Sequence, residues 1–317
     1  MSVAAPIPVV SRSGAPVPAA RRRRGGSRRF SRKDRNILLV MAGIPTLIHV
    51  SLVWLPSLLS VLLSFTRWNG IGGLRTIKPV GLDNFHQITT IYPPFWPALQ
   101  HNLIWLGVFL FIATPMGLLL AVLLDKEIRG SRLYQSAIYL PVVLSLALVG
   151  FIWQLIYSPD QGLINNLFGS HVDWFGDQKV NLWAVLVAAS WRHVGYIMVL
   201  YLAGLKGVDP TLREAAIMDG ASEVQTFRSV IFPALRPVNV VVLVVTVIES
   251  LRAFDLVYII NRGSNGLELL SVLVTNNISG AASRIGFGSA LAVILLLISL
   301  SFIVVYLLQT FRKEAVS

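Results

Sequence analysis

Six apolar runs alternate with polar connectors along the 317-residue chain, near 37–65, 102–124, 133–157, 181–205, 238–260 and 286–309. About 20 residues of helix cross roughly 30 Å of hydrocarbon, so each run has the length of a membrane span. None shows the strict alternation of a barrel strand, and a backbone in lipid must pair its own N–H and C=O groups, so the pattern predicts helices. The expected fold is all-α, a polytopic membrane protein with six transmembrane helices.

Between the fourth and fifth runs lies a stretch of different character, DPTLREAAIMDGASEVQTFRSVIFPALRP, Asp209 to Pro237. Read as helix, it sets Leu212, Ala215, Ala216 and Met218 on one face and leaves Arg213, Asp219 and Glu223 polar. Asp209 suits an N-cap, because its carboxylate accepts from the free amides of a first turn. Pro210 suits the first helical position, where a missing N–H loses no partner. Gly220 permits a sharp turn, a second short helix follows, and Pro233 and Pro237 break the chain before the next apolar run. A helix–turn–helix held at the mouth of a membrane bundle is expected to be a docking surface.

Composition agrees with lipid as the main solvent. Hydrophobic residues make up 55% of the chain and charged ones 13%, with mean hydropathy +0.69, which is too little charge to solvate a globular surface. The net charge of +12 would suggest nucleic acid, but ten of the 27 Lys and Arg lie before Asn36. That block, with the run RRRRGGSRRFSRK, reads as a disordered cytoplasmic tail over 1–36 that fixes orientation and touches anionic membrane lipid; no nucleic-acid partner is expected. Ser27-Arg28-Arg29-Phe30 approximates a twin-arginine signal, but Phe30 stands one place early and the apolar run outlasts a signal core. With the N-terminus inside, the inner connectors carry 19 Lys and Arg and the outer ones six, so both termini and the 209–237 loop are expected on the cytoplasmic side of the cell membrane. The chain has no Cys, which excludes disulfides and thiolate metal sites.

The ordered residues Glu214-Ala215-Ala216, Asp219-Gly220-Ala221, Phe227, Val230 and Phe232-Pro233 resemble the EAA loop of ABC-importer permeases. That family's pattern is E-A-A, three residues, G, nine residues, I-x-L-P; here Val230 and Phe232 stand for its Ile and Leu. Val80-Gly81-Leu82-Asp83-Asn84-Phe85, Leu140-Pro141, Ser158 to Asn165 and Asp173-Trp174-Phe175 are similar to pieces of the carbohydrate branch of that family. The resemblance runs from about Val80 to Gly263 and marks 37–317 as a permease domain. It implies a permease subunit of a binding-protein-dependent importer for a sugar or oligosaccharide. The partners it implies are a second similar permease, two cytoplasmic ATPase subunits and an extracellular sugar-binding protein. Glu214, Ala215, Ala216, Asp219 and Gly220 are its coupling residues, with Glu214 meeting a basic group of the ATPase.

Ionisable groups within a span cost about 2.5–3.5 kcal/mol each on insertion scales, so each calls for a reason. In the fifth run Glu249, Arg252 and Asp255 are spaced three apart, which predicts an ion-pair ladder along one side or a polar lining to a pathway. The fourth run carries Trp191-Arg192-His193-Val194-Gly195-Tyr196, donors beside aromatics, the mixture that a sugar's hydroxyls and apolar ring face require. Counted without gaps from Glu214, the pocket of maltose-type permeases falls on Arg192, His193, Tyr196, Thr246, Ser250 and Ala253, and on Val142 and Leu146. Tyr196, Thr246 and Ser250 keep aromatic or hydroxyl character, whereas Arg192, His193, Ala253, Val142 and Leu146 depart from it, so the resemblance implies a sugar without specifying maltose. The candidate substrate-binding residues are Arg192, His193, Tyr196, Thr246, Glu249, Ser250 and Asp255. For His193 a hydrogen bond to a neighbouring helix is an equal reading, and His49 and His101, near span ends, read as interfacial packing.

No G-x-x-x-x-G-K-[ST], H-E-x-x-H or nucleophile–base arrangement occurs, so no cofactor, metal or catalytic residue is expected. Two alternatives stay open. One is an importer of a non-sugar solute such as glycerol phosphate, a polyamine or an amino acid, with Arg192 meeting an anion. The other is a membrane sensor or scaffold whose cytoplasmic loop binds a regulator.

Overall fold

The computed structural model describes residues 31–71, 73–126, 129–280 and 283–314, so residues 1–30 of the expected tail lie outside the described residues. Contacts divide the chain into two units, 1–54 and 55–317. The first holds α1 (Arg32–His49) and a π-helical stretch, Val50–Trp54. Ile37, Leu39, Met41, Leu47 and Leu52 are all exposed in it, the pattern of a helix that is apolar all round and solvated by lipid.

The second unit begins with α2 (Leu55–Leu63) and a two-stranded antiparallel hairpin, β1 (Thr66–Arg67) with β2 (Lys78–Pro79). After α3 (Asp83–Thr90) come α4 (Phe95–Val108) and α5 (Thr114–Asp125), joined through a π-helical stretch, Phe109–Ala113. Next are α6 (Ser131–Val143), α7 (Leu146–Ile156), α8 (Leu163–Phe168) and the 26-residue α9 (Asn181–Lys206). The 209–237 loop forms α10 (Pro210–Met218), α11 (Glu223–Thr226), a third π stretch, Phe227–Ile231, and α12 (Phe232–Ala234). Last are α13 (Arg236–Leu251), α14 (Asp255–Asn261), α15 (Leu270–Ser279) and α16 (Ile285–Glu314).

All three π stretches share one sequence feature. Their midpoints are Leu52, Phe111 and Ser229, each four residues before a proline, Pro56, Pro115 or Pro233. A proline ring clashes with the carbonyl four residues back and lacks the N–H that carbonyl would accept. Widening the turn by one residue relieves the clash without ending the helix.

Four stretches are long and apolar enough to cross a membrane, Asn36–Leu63, Phe95–Asp125, Asn181–Lys206 and Ile285–Gln309. Two sharply bent pairs join them, Ser131–Val143 with Leu146–Ile156 at 102° and Glu223–Ala234 with Arg236–Asn261 at 74°. The expected six spans result only if each bent pair is one span; the second bend falls at Leu235, between the loop and the fifth run, and the 133–157 and 238–260 runs are each interrupted as well. The 133–157 run breaks at Leu144 and Ser145, both extended, and the Ser145 hydroxyl caps α7 by accepting from Leu148 N at 3.2 Å. The 238–260 run breaks at Arg252–Phe254.

Side chains from neighbouring helices satisfy the backbone freed by that second break. Asn102, fully buried on α4, donates to the carbonyls of Ser250 and Leu251 at 3.3 Å each and accepts from Leu270 N at 2.9 Å. The Ser271 hydroxyl donates to Ala253 O, and Gln154 donates to the carbonyls of Ile259 and Ile260 at the end of α14. Broken helices persist at membrane depth only where protein replaces the lost partners.

α9 forms the centre of the unit: 56% of its most apolar window is buried, against 28% for Phe95–Asp125 and 11% for Ile285–Gln309. Gly117 on α5 lets that helix lie directly on α9, since a Cβ there would stand 2.8 Å from the Ile197 side chain. Trp105, Phe109, Val149, Leu186 and Leu256 pack around one half of α9, and Leu124, Met198, Leu205, Ile231 and Leu235 around the half nearer the loop. A third cluster, Ile88, Phe95, Leu270, Phe287 and Leu291, joins α3 and α4 to α15 and α16.

Candidate functional site

The break in α13–α14 opens a polar cavity of about 180 Å³ between α7, α9 and the interrupted helix. Four of the seven expected residues line it: Arg192, His193, Glu249 and Asp255. Arg252, Phe109 and Phe254 line it as well and were not among the seven. The spacing of Arg252 from Glu249 was a usable signal for it, but Phe109 owes its position to the π stretch and had none.

The expected ladder of Glu249, Arg252 and Asp255 does not form, because the helix that would stack them ends at Leu251. Glu249 instead meets Arg192 across the cavity, Oε2 to Nη1 at 3.7 Å, with both side chains partly exposed to the opening. Arg252 caps α13 and Asp255 opens α14, where the positive end of the helix dipole favours its charge.

Behind this face lies a second layer. His193, 4% exposed, stacks on Phe109 with ring centres 4.1 Å apart, and its Nε2 lies 3.3 Å from Thr246 Oγ1. Thr246 Oγ1 in turn lies 3.4 Å from Thr114 Oγ1, the first residue after the π stretch. Thr246 and Ser250 are fully buried and do not reach the cavity; the Ser250 hydroxyl donates to Val247 O. Tyr196 packs beside the Met198 and Tyr201 cluster, away from the opening. His193 thus makes the expected hydrogen bond to a neighbouring helix, and its ring also lines the cavity.

At one end of the bundle the 209–237 loop presents its other expected residues. The Asp209 side chain accepts from Thr211 N at 2.9 Å, which caps α10 and holds its carboxyl below the usual carboxylate range. Gly220 ends that helix at φ +77°, where a side chain would be strained, and the Ser222–Gln225 capping box starts α11. Glu214, Ala215, Asp219 and Gly220 are exposed and only Ala216 is buried, so the shared apolar face read for Leu212, Ala215 and Met218 is not an inward face. Met218, at 86% exposure, stands clear of the bundle, and Ile217 and Val224 are exposed apolar neighbours in the loop.

Two ion pairs fasten this loop to the end of α5: Arg213 Nη2 to Asp125 Oδ2 at 3.0 Å, and Lys126 Nζ to Glu223 Oε2 at 2.6 Å. Among the described residues no group of three or more His, Asp or Glu could hold a metal ion. His101 Nδ1 lies 2.9 Å from Glu268 O, a contact between neighbouring elements.

Comparison with known proteins gives a consistent result. Residues 113–314 match the family described as "Binding-protein-dependent transport system inner membrane component". A probable ABC transporter permease protein of Pyrococcus horikoshii is 30% identical, over 87% of this chain and 94% of that protein. The xylose/arabinose import permease protein XacH of Haloferax volcanii is 33% identical over 79% of this chain and 80% of its own length. The arabinooligosaccharides transport system permease protein AraP of Bacillus subtilis is 29% identical over 97% of this chain and 99% of its own length. Among solved structures, a chain of a bacterial ABC transporter involved in the import of alginate superposes with a TM-score of 0.74 at 20% identity, over 88% of this chain and 96% of that one, which is a likeness of fold.

Proposed function

The chain belongs to the binding-protein-dependent transport system inner membrane component family, and from that premise we propose that it is the membrane permease subunit of an importer for a sugar or oligosaccharide. The observation that carries this reading is a polar, ring-lined cavity in the middle of an apolar bundle whose end presents an exposed E-A-A loop. Relatives over most of the chain are named for xylose and arabinose, for starch degradation products and for arabinooligosaccharides, which supports sugar over the other solutes considered.

In this reading the permease works with a second, similar subunit, two ATPases and an extracellular sugar-binding protein, and both termini and the loop face the cytoplasm. The basic tail up to residue 36 holds that orientation, and 37–317 is the permease domain. ATP hydrolysis belongs to the partners, because the chain has no phosphate-cradling motif.

The cavity suits a polyhydroxylated ring. Arg192 donates and Glu249 accepts along one wall, and at 3.7 Å their pairing is longer than a hydrogen bond, so each keeps capacity for a sugar hydroxyl. Phe109 and Phe254 supply apolar faces for the ring, and Asp255 a further acceptor. Thr246, Ser250 and Tyr196 act from behind by holding the wall, as His193 does through Thr246.

Motion enters through the loop. Glu214 and Asp219 are free to meet a basic groove on an ATPase, with Ala215, Ala216 and Gly220 shaping the loop. The two ion pairs pass displacement of the loop to α5, and α5 lies on α9, which carries Arg192 and His193. Such coupling acts only if the ATPases contact the two states of the bundle differently.

The test is uptake by the assembled importer carrying Arg192→Gln or Glu249→Gln. A hydrogen bond to a charged group contributes about 1.5–3 kcal/mol, so each change raises the apparent KM for the sugar about 10- to 100-fold while binding-protein affinity stays constant. Unchanged KM in both variants removes the cavity from the sugar path.

A further inference from the structure

Between α5 and the loop runs an apolar groove of about 730 Å³, separate from the cavity. Its inner wall is Pro115, Leu118, Leu119 and Val122, which belong to the candidate span Phe95–Asp125. Its outer wall is the loop, with Ile217, Val224 and Phe227. One end therefore lies at hydrocarbon depth and the other at the membrane surface, where irregular backbone must be covered by protein or lipid.

Four charges gather at the surface end. Asp125 pairs with Arg213 and Lys126 with Glu223, and Arg213 is near enough for its field to reach Glu223. The cluster sums to zero but is not saturated. Lys126 uses one of its N–H groups and Arg213 one of its five, and both side chains are about half exposed, at 50% and 47%. Glu223 keeps a second oxygen and is 83% exposed.

An apolar trough continuous with the bilayer, ending in exposed cations beside an exposed carboxylate, has the chemistry of a zwitterionic phospholipid. We propose that this groove is a binding site for an amine-bearing phospholipid, with one acyl chain along Leu118, Leu119 and Val122. Its phosphate sits between Lys126 and Arg213 and its ammonium against Glu223. The occupant is favoured over other lipid by the headgroup, since acyl chains gain nothing on leaving one hydrocarbon for another. The inference rests only on the membrane reading of α5. Its consequence is that lipid would wedge the hinge between the loop and the bundle.

The experiment uses the assembled importer in vesicles doped with a phosphatidylethanolamine that carries a photoreactive diazirine on its acyl chain. Peptides are mapped after illumination. The expected result is severalfold more adduct on Leu119, Ile217 and Val224 than on the lipid-facing residues Leu296, Leu297 and Leu300 of α16. Lys126→Gln and Arg213→Gln each lower groove labelling about fivefold, the weight of one basic residue at a headgroup, with α16 labelling unchanged. Val122→Trp, or Ala221→Phe from the loop side, fills the groove and lowers its labelling likewise. Three results overturn the proposal: labelling equal to that of α16, labelling insensitive to all four variants, or a photoreactive residue at position 224 that crosslinks to a protein subunit instead of lipid. Uptake is measured in parallel, so loss of sugar transport with intact labelling counts against the transport reading alone.

Discussion

Replacing Asn102 by Leu should weaken the bundle more than any other single apolar substitution in α4. Its amide is fully buried and closes three backbone groups at once: it accepts from Leu270 N at 2.9 Å and donates to the carbonyls of Ser250 and Leu251 at 3.3 Å each. Leu keeps the volume and removes all three bonds. An orphaned buried N–H costs about 1–3 kcal/mol. The two long donor bonds add about 0.5 kcal/mol each, since interhelical bonds in membranes average near 0.6 kcal/mol. The sum is about 2–4 kcal/mol, and about 1 kcal/mol moves the midpoint of a 150–250-residue domain by about 2–4 °C. Thermal unfolding of the purified importer in lipid nanodiscs should therefore show a fall of roughly 4–16 °C. Asn102→Asp separates the terms: it keeps the acceptor for Leu270 N, loses both donors and adds a charge that costs about 2.5–3.5 kcal/mol in a span. A midpoint within experimental scatter of the unmodified protein for Asn102→Leu would refute the idea that this side chain holds the broken helix together.

Two further outcomes follow from the packing and the loop. Gly117→Val places methyl groups where a Cβ alone already meets Ile197 Cβ and Cγ2 at 2.8 Å and Val194 O at 3.0 Å, so α5 must leave α9, at about 1–3 kcal/mol and with loss of uptake; Gly117→Ala, which adds the Cβ alone, should show a smaller part of both losses, and full stability and uptake in Gly117→Val would exclude the steric cause. The Asp209 carboxyl is held below the usual carboxylate range because it accepts from Thr211 N. Its contribution to α10 is therefore complete above the unfolded value and is lost only as pH falls through the lowered folded one. Amide exchange of α10, corrected for intrinsic rates, should stay flat down to that range and then rise, and Asp209→Ala should show no such step.

Much of the architecture is legible in the order of residues, for reasons that can be named. Span positions follow from the cost of unpaired backbone in lipid, which allows few alternatives to long apolar helices. The caps of α10 were readable because Asp209, Pro210 and Gly220 each act within a few residues of themselves. The π stretches were readable in principle, since a proline four residues on marks each midpoint, although Pro45 and Pro141 sit inside ordinary α-helix and show that the proline alone does not decide. The breaks near Ser145 and Arg252 were not readable, because Leu144 and Phe254 look like any apolar residue in a span. The break near Ser145 is capped locally by its own hydroxyl, whereas what stabilises the one near Arg252 comes from elsewhere in the chain: Asn102 for Ser250 and Leu251, and Ser271 for Ala253. The site inherits the same limit. Arg192, His193, Glu249 and Asp255 stood out as polar groups in apolar runs and do line the cavity. Thr246, Ser250 and Tyr196 were placed by spacing along an unbroken helix or by a distant pattern, and tertiary packing turned them elsewhere.

The most direct measurement of the transport claim is ATP-driven sugar uptake into vesicles containing this permease, its partner permease, both ATPases and the loaded binding protein, with and without Glu214→Lys. The expected result is sugar accumulation with the full set, none when either the ATPases or this chain is omitted, and loss of uptake together with loss of ATPase association in the variant. Accumulation by this chain alone, or a Glu214→Lys variant equal to the unmodified protein in both uptake and ATPase association, would contradict it.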